Sequence, residues 1–96
     1  MNLEAFTNQL KELAAENENL LTGSVKLVFE EGVIVLEGND VHNNNIETDC
    51  TVTISLENIN KIITGNVNVM DIMMSGEMQM EGDTSIVLQV GALLTA

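Results

Sequence analysis

Leu3, Phe6, Leu10, Leu13 and Ala14 recur at three- and four-residue intervals, with Glu4, Lys11, Glu12 and Glu16 on the other side. This spacing predicts an amphipathic helix. The helix should fade around Asn17 to Asn19 and be over by Gly23, whose missing Cβ suits a turn. Four short stretches then alternate with the period of two expected for strands that have one dry and one wet face. In residues 24–30, Val25, Leu27 and Phe29 oppose Ser24, Lys26 and Glu30. After a Glu31-Gly32 turn, residues 33–36 are apolar throughout, and only Glu37 marks a side. Cys50, Val52 and Ile54 alternate with Thr51, Thr53 and Ser55, and Met78 and Met80 alternate with Glu77, Gln79 and Glu81.

Three further helices are bracketed by capping residues. Ser55 can cap a helix striped by Leu56, Ile59, Ile62 and Ile63, which Gly65 would end. Asn68 and Gly76 bracket a short helix with Met70, Met73 and Met74 on one face and Asp71 and Ser75 on the other. Asp83 opens a last helix carrying Ile86, Val87, Val90, Leu93 and Leu94, in which Gly91 costs ~1 kcal/mol relative to Ala. Residues 38–48, rich in Asn and Asp, read as a loop. Together these elements predict a single α+β (α/β) domain over residues 1–96, with a mostly antiparallel sheet covered on one face by helices.

Composition narrows the function. Of the 96 residues 45% are hydrophobic, but Phe6 and Phe29 are the only aromatics, so aliphatic side chains and Met must build the interior. Fifteen acidic residues against Lys11, Lys26 and Lys61 give a formal charge of -12. That charge repels phosphate backbones and anionic headgroups over roughly 8 Å at physiological salt. It argues against nucleic-acid binding and against stable residence on an acidic membrane, while leaving transient membrane contact open. The lone Cys50 excludes an internal disulfide and a structural zinc site, in keeping with a reduced, cytoplasmic protein. No apolar run approaches the ~20 residues of a membrane span, the first 20 residues do not resemble a signal peptide, and the final residues carry no peroxisomal address.

Candidate chemistry is sparse. His42 sits in the Asn-rich segment and Cys50 on the inward parity of a strand, so neither is expected to be catalytic. Asp40, His42, Glu47 and Asp49 lack the spacing of a metal site and read as a solvated acidic loop. No catalytic group, metal or cofactor is therefore expected. Five of the six methionines fall between Met70 and Met80. They serve either as core filler or as a deformable pocket wall, because unbranched thioethers repack around varied apolar shapes.

From Asp49 onward the order of elements becomes specific: a strand Asp-Cys-Thr-Val-Thr-Ile, a capped helix, Thr64-Gly65, a short helix from Asn68, then Gly76-Glu77-Met78-Gln79-Met80-Glu81-Gly82-Asp83 opening the last helix. This stretch, residues 49–94, resembles the sterol carrier protein type-2 family, the sterol-transfer domain. The resemblance implies a curved sheet of four or five strands with helices on one face, enclosing an apolar tunnel for a sterol, fatty acyl or isoprenoid lipid, without a cofactor. Related sequences carry Asn-Pro, Ala-Phe and Gly-Lys where this chain has Asn68-Val69, Ile72-Met73 and Gly76-Glu77. The chain also stops soon after its last helix, which predicts a more open pocket than in relatives with an extension.

On this resemblance the expected lipid-binding residues are Phe6, Leu10, Leu27, Phe29, Ile34, Leu36, Val52 and Ile54 from the helix and strands. Met70, Met73, Met74, Met78, Met80 and Val87 complete the set. An empty void of ~300 Å³ would cost about 7 kcal/mol at roughly 24 cal/mol per Å³, rivalling the ~5–15 kcal/mol stability of a whole domain. The pocket must therefore collapse when empty, stay occupied, or be buried against another chain. Non-catalytic lipid binding or transfer is the leading expectation. The alternative is an interaction module or homo-oligomer with a packed core, among them an accessory protein for isoprenoid quinone biosynthesis.

Overall fold

Cross-strand pairing in the computed structural model, which describes residues 2–17 and 21–95, links β1 (Ser24–Phe29) at the centre of a five-stranded sheet to two neighbours of opposite sense. On one side β1 runs antiparallel to β2 (Gly32–Glu37), which in turn pairs with β3 (Asp40–His42). On the other it runs parallel to β4 (Cys50–Thr53), whose outer neighbour is the antiparallel β5 (Gln79–Gly82). The order is β3-β2-β1-β4-β5, so the sheet is mixed and mostly antiparallel, and it has five strands.

Four helices pack against it. α1 (Leu3–Glu16) is capped by Asn2, whose Oδ1 accepts from Ala5 N at 2.7 Å. Of its apolar stripe Phe6, Leu10 and Ala14 are buried and Leu3 and Leu13 half-buried, and Phe6 meets Phe29 edge-on at a centroid distance of 5.9 Å. The helix ends at Glu16 with Asn17 as C-cap; the rest of the expected fade, through Asn19, lies outside the described residues. α2 (Leu56–Ile63) and α3 (Val69–Ser75) carry the expected caps, with Ser55 Oγ accepting from Asn58 N and Asn68 Oδ1 from Asp71 N. α4 (Thr84–Leu94) buries all five of its predicted core residues.

Register assigns the two faces. Val25, Leu27, Leu36, Ile34, Cys50 and Val52 are mutual partners on the helix-covered face. Lys26, Val35, His42 and Thr51 partner one another on the opposite face. Val35 is nevertheless completely buried there. The reason lies in residues 43–48, expected to be a free loop. To run from β3 at one edge to β4 beyond β1, this segment must cross the outer face. Lys26 Nζ donates to Asn45 Oδ1 at 2.8 Å, and His42 Nδ1 accepts from Asn44 N at 3.1 Å, so both register neighbours of Val35 hold the crossing segment.

The same stretch corrects a second expectation. Residues 40–42 form strand β3 instead of loop, because Gly38 at φ +60 allows a tight return and Val41 then lies opposite Leu36 and is buried. A three-residue strand with polar residues on both sides of one Val leaves no periodic signal.

Asp49 joins three elements. Its Oδ2 accepts from Ser24 N at 3.0 Å, its N–H donates to Ser24 Oγ at 2.9 Å, and its carbonyl accepts from Asp83 N at 3.1 Å. Gly82 lies beside it at φ +93, and a Cβ there would collide with Asp49 O. Gly82→Ala therefore combines a left-handed conformation unsuited to Ala with a clash against backbone, and should lower stability by about 2 kcal/mol or more in urea unfolding. Asp83 caps α4, and hydrogen bonds from the Ser85 hydroxyl and then the Ser85 N–H hold its carboxyl below its ordinary range. A lowered folded pKa stabilises above the unfolded pKa, and that stability is lost as pH falls through the folded value. Asp83→Ala should thus reduce Tm at neutral pH, with the difference from the parent narrowing as the buffer is taken below the carboxylate range.

Candidate functional site

The inner face of the sheet supplies Leu27 and Val52 to a seam that α2, α3 and α4 close from above. Ile54, Ile59 and Ile62 line it from the β4–α2 side, Val69 from the start of α3, Met78 from the approach to β5, and Val87, Val90, Gly91 and Leu94 from α4. Every lining residue is apolar. The space left among them is only ≈ 10 Å³, at the threshold for a single water molecule. Among the described residues the seam is closed to this volume, which is collapse, one of the three ways in which a small domain can avoid an empty void.

Two surface grooves adjoin the closed seam. The first, of ≈ 480 Å³, runs between the α2–α3 turn, α3 and α4, and shares Ile62, Val69 and Gly91 with the seam. The second, of ≈ 590 Å³, lies at the end of the sheet among Phe29, Thr53, Leu56 and Gln79, and shares Ile54 with it. Each groove thus shares lining residues with the apolar interior. α3, beside the first groove, has Ile72 as its only buried residue.

The methionines are placed differently from the expectation. Met70 is 52% and Met74 83% exposed, Met73 is half-buried, and Ile72 takes the inward position at 2%. In a seven-residue helix two stripes compete, 70/73/74 and 69/72/73, and tertiary contact decides between them. Val69 approaches Gly91 so closely that a Cβ on Gly91 would lie 2.8 Å from Val69 Cγ2. This fit of a β-branched residue onto a bare helix backbone turns Val69 and Ile72 inward and leaves Met70 and Met74 outside. Among the described methionines only Met78 lines the closed seam; Met80 pairs with Val52 on the inner face but sits half-buried on edge strand β5. Collapse is thus achieved mainly by Ile, Leu and Val side chains.

Of the sequence-predicted residues, Leu27, Val52, Ile54, Met78 and Val87 converge on the seam. Phe6 and Leu10 of α1 are buried in the same core as Ile34 and Leu36 of β2, Phe29 reaches the second groove, and Met70 lines the first. Residues not assigned to the site from sequence are Ile59, Ile62, Val69, Val90, Gly91 and Leu94. The stripes of α2 and α4 carried the signal for four of them, and the glycine inside a helix pointed to a close approach.

The reactive residues do not meet. Cys50 is 1% exposed on the inner face, and burial first, then the Asp83 charge, push its thiol above its ordinary pKa, away from the reactive thiolate. His42 is on the outer face, 2.7 Å from Glu37 Oε1. The described residues contain no group of three or more His, Cys, Asp or Glu placed to hold a metal, and Asp49 is engaged by Ser24.

Comparison with known proteins bears on the fold and the family. The solution structure of palmitated SCP2L2 from Aedes aegypti superposes with a TM-score of 0.77 at 19% identity, covering 100% of this chain and 96% of that one. The sterol carrier protein domain 2 of Helicoverpa armigera gives 0.74 at 21% identity over 98% and 90%. A structure described as UbiJ-SCP2, a ubiquinone synthesis protein, gives 0.66 at 19% identity over 97% and 85%. No curated protein sequence matches the chain. The model of the SCP-2 sterol transfer family matches residues 3–95, and the chain belongs to that family of non-catalytic transfer domains.

Proposed function

We propose that this chain binds an apolar lipid between its sheet and helices and carries it in solution, and that the lipid enters by displacing α3. The observation that carries this reading is the wholly apolar seam, which shares Ile62, Val69 and Gly91 with a surface groove. Family membership supports lipid binding in general; the choice among sterol, acyl and isoprenoid ligands belongs to the proposal. Energetics favour coupling of opening to filling. A ~300 Å³ space costs about 7 kcal/mol empty, whereas burying ten methylenes returns ~8 kcal/mol at ~0.8 each. The domain opens around its ligand and shuts without it. Cytoplasmic residence is part of the same reading, consistent with a lone unpaired Cys50; no helix among the described residues is long and apolar enough to cross a membrane.

A second reading, an interaction module or homo-oligomer that could act as an accessory protein for prenylated quinone precursors, is favoured by Met70, Met74 and Leu88, each more than half exposed.

Native mass spectrometry of freshly purified protein, together with titration of a fluorescent sterol and a fluorescent long-chain lipid, should detect a bound or bindable apolar ligand. Absence of both sinks the lipid reading. Val87→Phe, which fills the seam, should weaken that binding roughly tenfold while retaining the far-UV spectrum, at an overpacking cost of about 1–3 kcal/mol. Sedimentation should give a single species at the 10.4 kDa monomer mass across concentrations; a concentration-dependent rise would favour the oligomeric alternative.

A further inference from the structure

Resting on the lipid-binding reading, we infer that the ligand is an uncharged lipid ending in a hydroxyl or carbonyl group, and not a fatty-acid anion. A lipid lying in the seam must leave its polar end within the seam or in one of the two grooves that adjoin it. The seam offers no polar side chain at all. A carboxylate there would be a buried, unpaired charge, the costliest arrangement in a protein interior.

Among the described residues neither groove is lined by a cationic side chain. The first is lined by one ionisable side chain, Asp71, beside the amides of Asn66 and Asn68 and the Thr95 hydroxyl. The second carries four carboxylates, Glu30, Glu31, Glu57 and Glu77. None of the chain's three Lys lines either groove, and it has no Arg. Lys26 holds Asn45 on the outer face, Lys11 lines a separate groove along α1, and Lys61 reaches Glu57 at 3.7 Å, one cation against four carboxylates. His42 pairs with Glu37 on the face away from the helices. The positive end of α3 does not compensate, because Asn68 Oδ1 already accepts from Asp71 N and Asp71 places a negative charge in its first turn.

The first groove suits an uncharged end group. Asn68 turns its oxygen to the helix cap, so its amide nitrogen is the part that can donate to a hydroxyl or carbonyl, and Asn66 and Thr95 stand in the same groove. At both exits an anionic headgroup meets like charge, which penalises association without affecting the apolar chain behind it.

Displacement of a bound fluorescent sterol at neutral pH by hexadecanol, hexadecanoate and hexadecylamine, which share one chain length, separates the headgroup from the tail. Hexadecanol should compete at least about tenfold better than hexadecanoate, a difference of ~1.4 kcal/mol. Asp71→Lys or Glu77→Lys should shift the hexadecanoate-to-hexadecanol ratio toward the acid by about fivefold, identifying which groove receives the end group. Hexadecanoate binding as tightly as hexadecanol, hexadecylamine binding most tightly, or a ratio unmoved by both substitutions would each overturn the inference. Failure of the sterol itself and of every chain to bind would instead remove the lipid-binding reading on which it rests.

Discussion

The parallel pairing of β1 with β4 is the interaction on which the rest of the structure depends. It joins the N-terminal half, α1 and β1 to β3, to the C-terminal half that carries α2, α3, β5 and α4. Asp49 fixes its start through Ser24, and the bond from Ile54 N to Val28 O, 3.2 Å, extends it past the last paired residue. A parallel neighbour requires a crossover, and here the crossover is short and lies on the face opposite the helices. That placement leaves the whole inner face free for α1, α2 and α4. It also explains why Val35, on the nominally wet face, is buried: the crossing segment is its cover.

A sheet dry on one face must bury that face against something, and in 96 residues the supply of apolar volume is small. The seam between Leu27, Val52 and α4 is therefore closed to ≈ 10 Å³. Closure depends on contacts of unequal strength. α4 is secured along its length by five buried residues and by Gln89, which exchanges hydrogen bonds with Thr22 at 2.9 Å in each direction. α3 is held by Ile72 and by the fit of Val69 onto Gly91. Local stability follows buried apolar contact, so α3 is the element expected to open first. The apolar interior and its weakest wall are thus adjacent, which is the arrangement a reversible lipid site needs.

Electrostatics act on the same site from outside. The carboxylates that keep the chain at -12 also ring the second groove, while a single one stands in the first. The proposed headgroup preference thus follows from the same charge distribution that repels anionic surfaces. Cys50 and His42, the residues most readily imagined in chemistry, are separated by the sheet itself, one beneath the helices and the other on the outer face.

Much of this was legible in the chain because it depends on local rules. Ser55, Asn68 and Asp83 cap helices wherever a helix follows them, the period of two in Val25-Leu27-Phe29 and Cys50-Val52 assigns an inner face, and the strand-helix-helix-strand-helix order after Asp49 marks the family. What only the tertiary structure decided depends on contacts between segments distant in the chain. β3 exists because Leu36 offers Val41 a partner, and residues 43–48 lie over the sheet because β4 pairs beyond β1. Ile72 faces inward in place of the Met stripe because Gly91, some twenty residues on, admits Val69 at close range. Periodicity in one short helix permits either face, and the choice is made by the shape of the surface it meets.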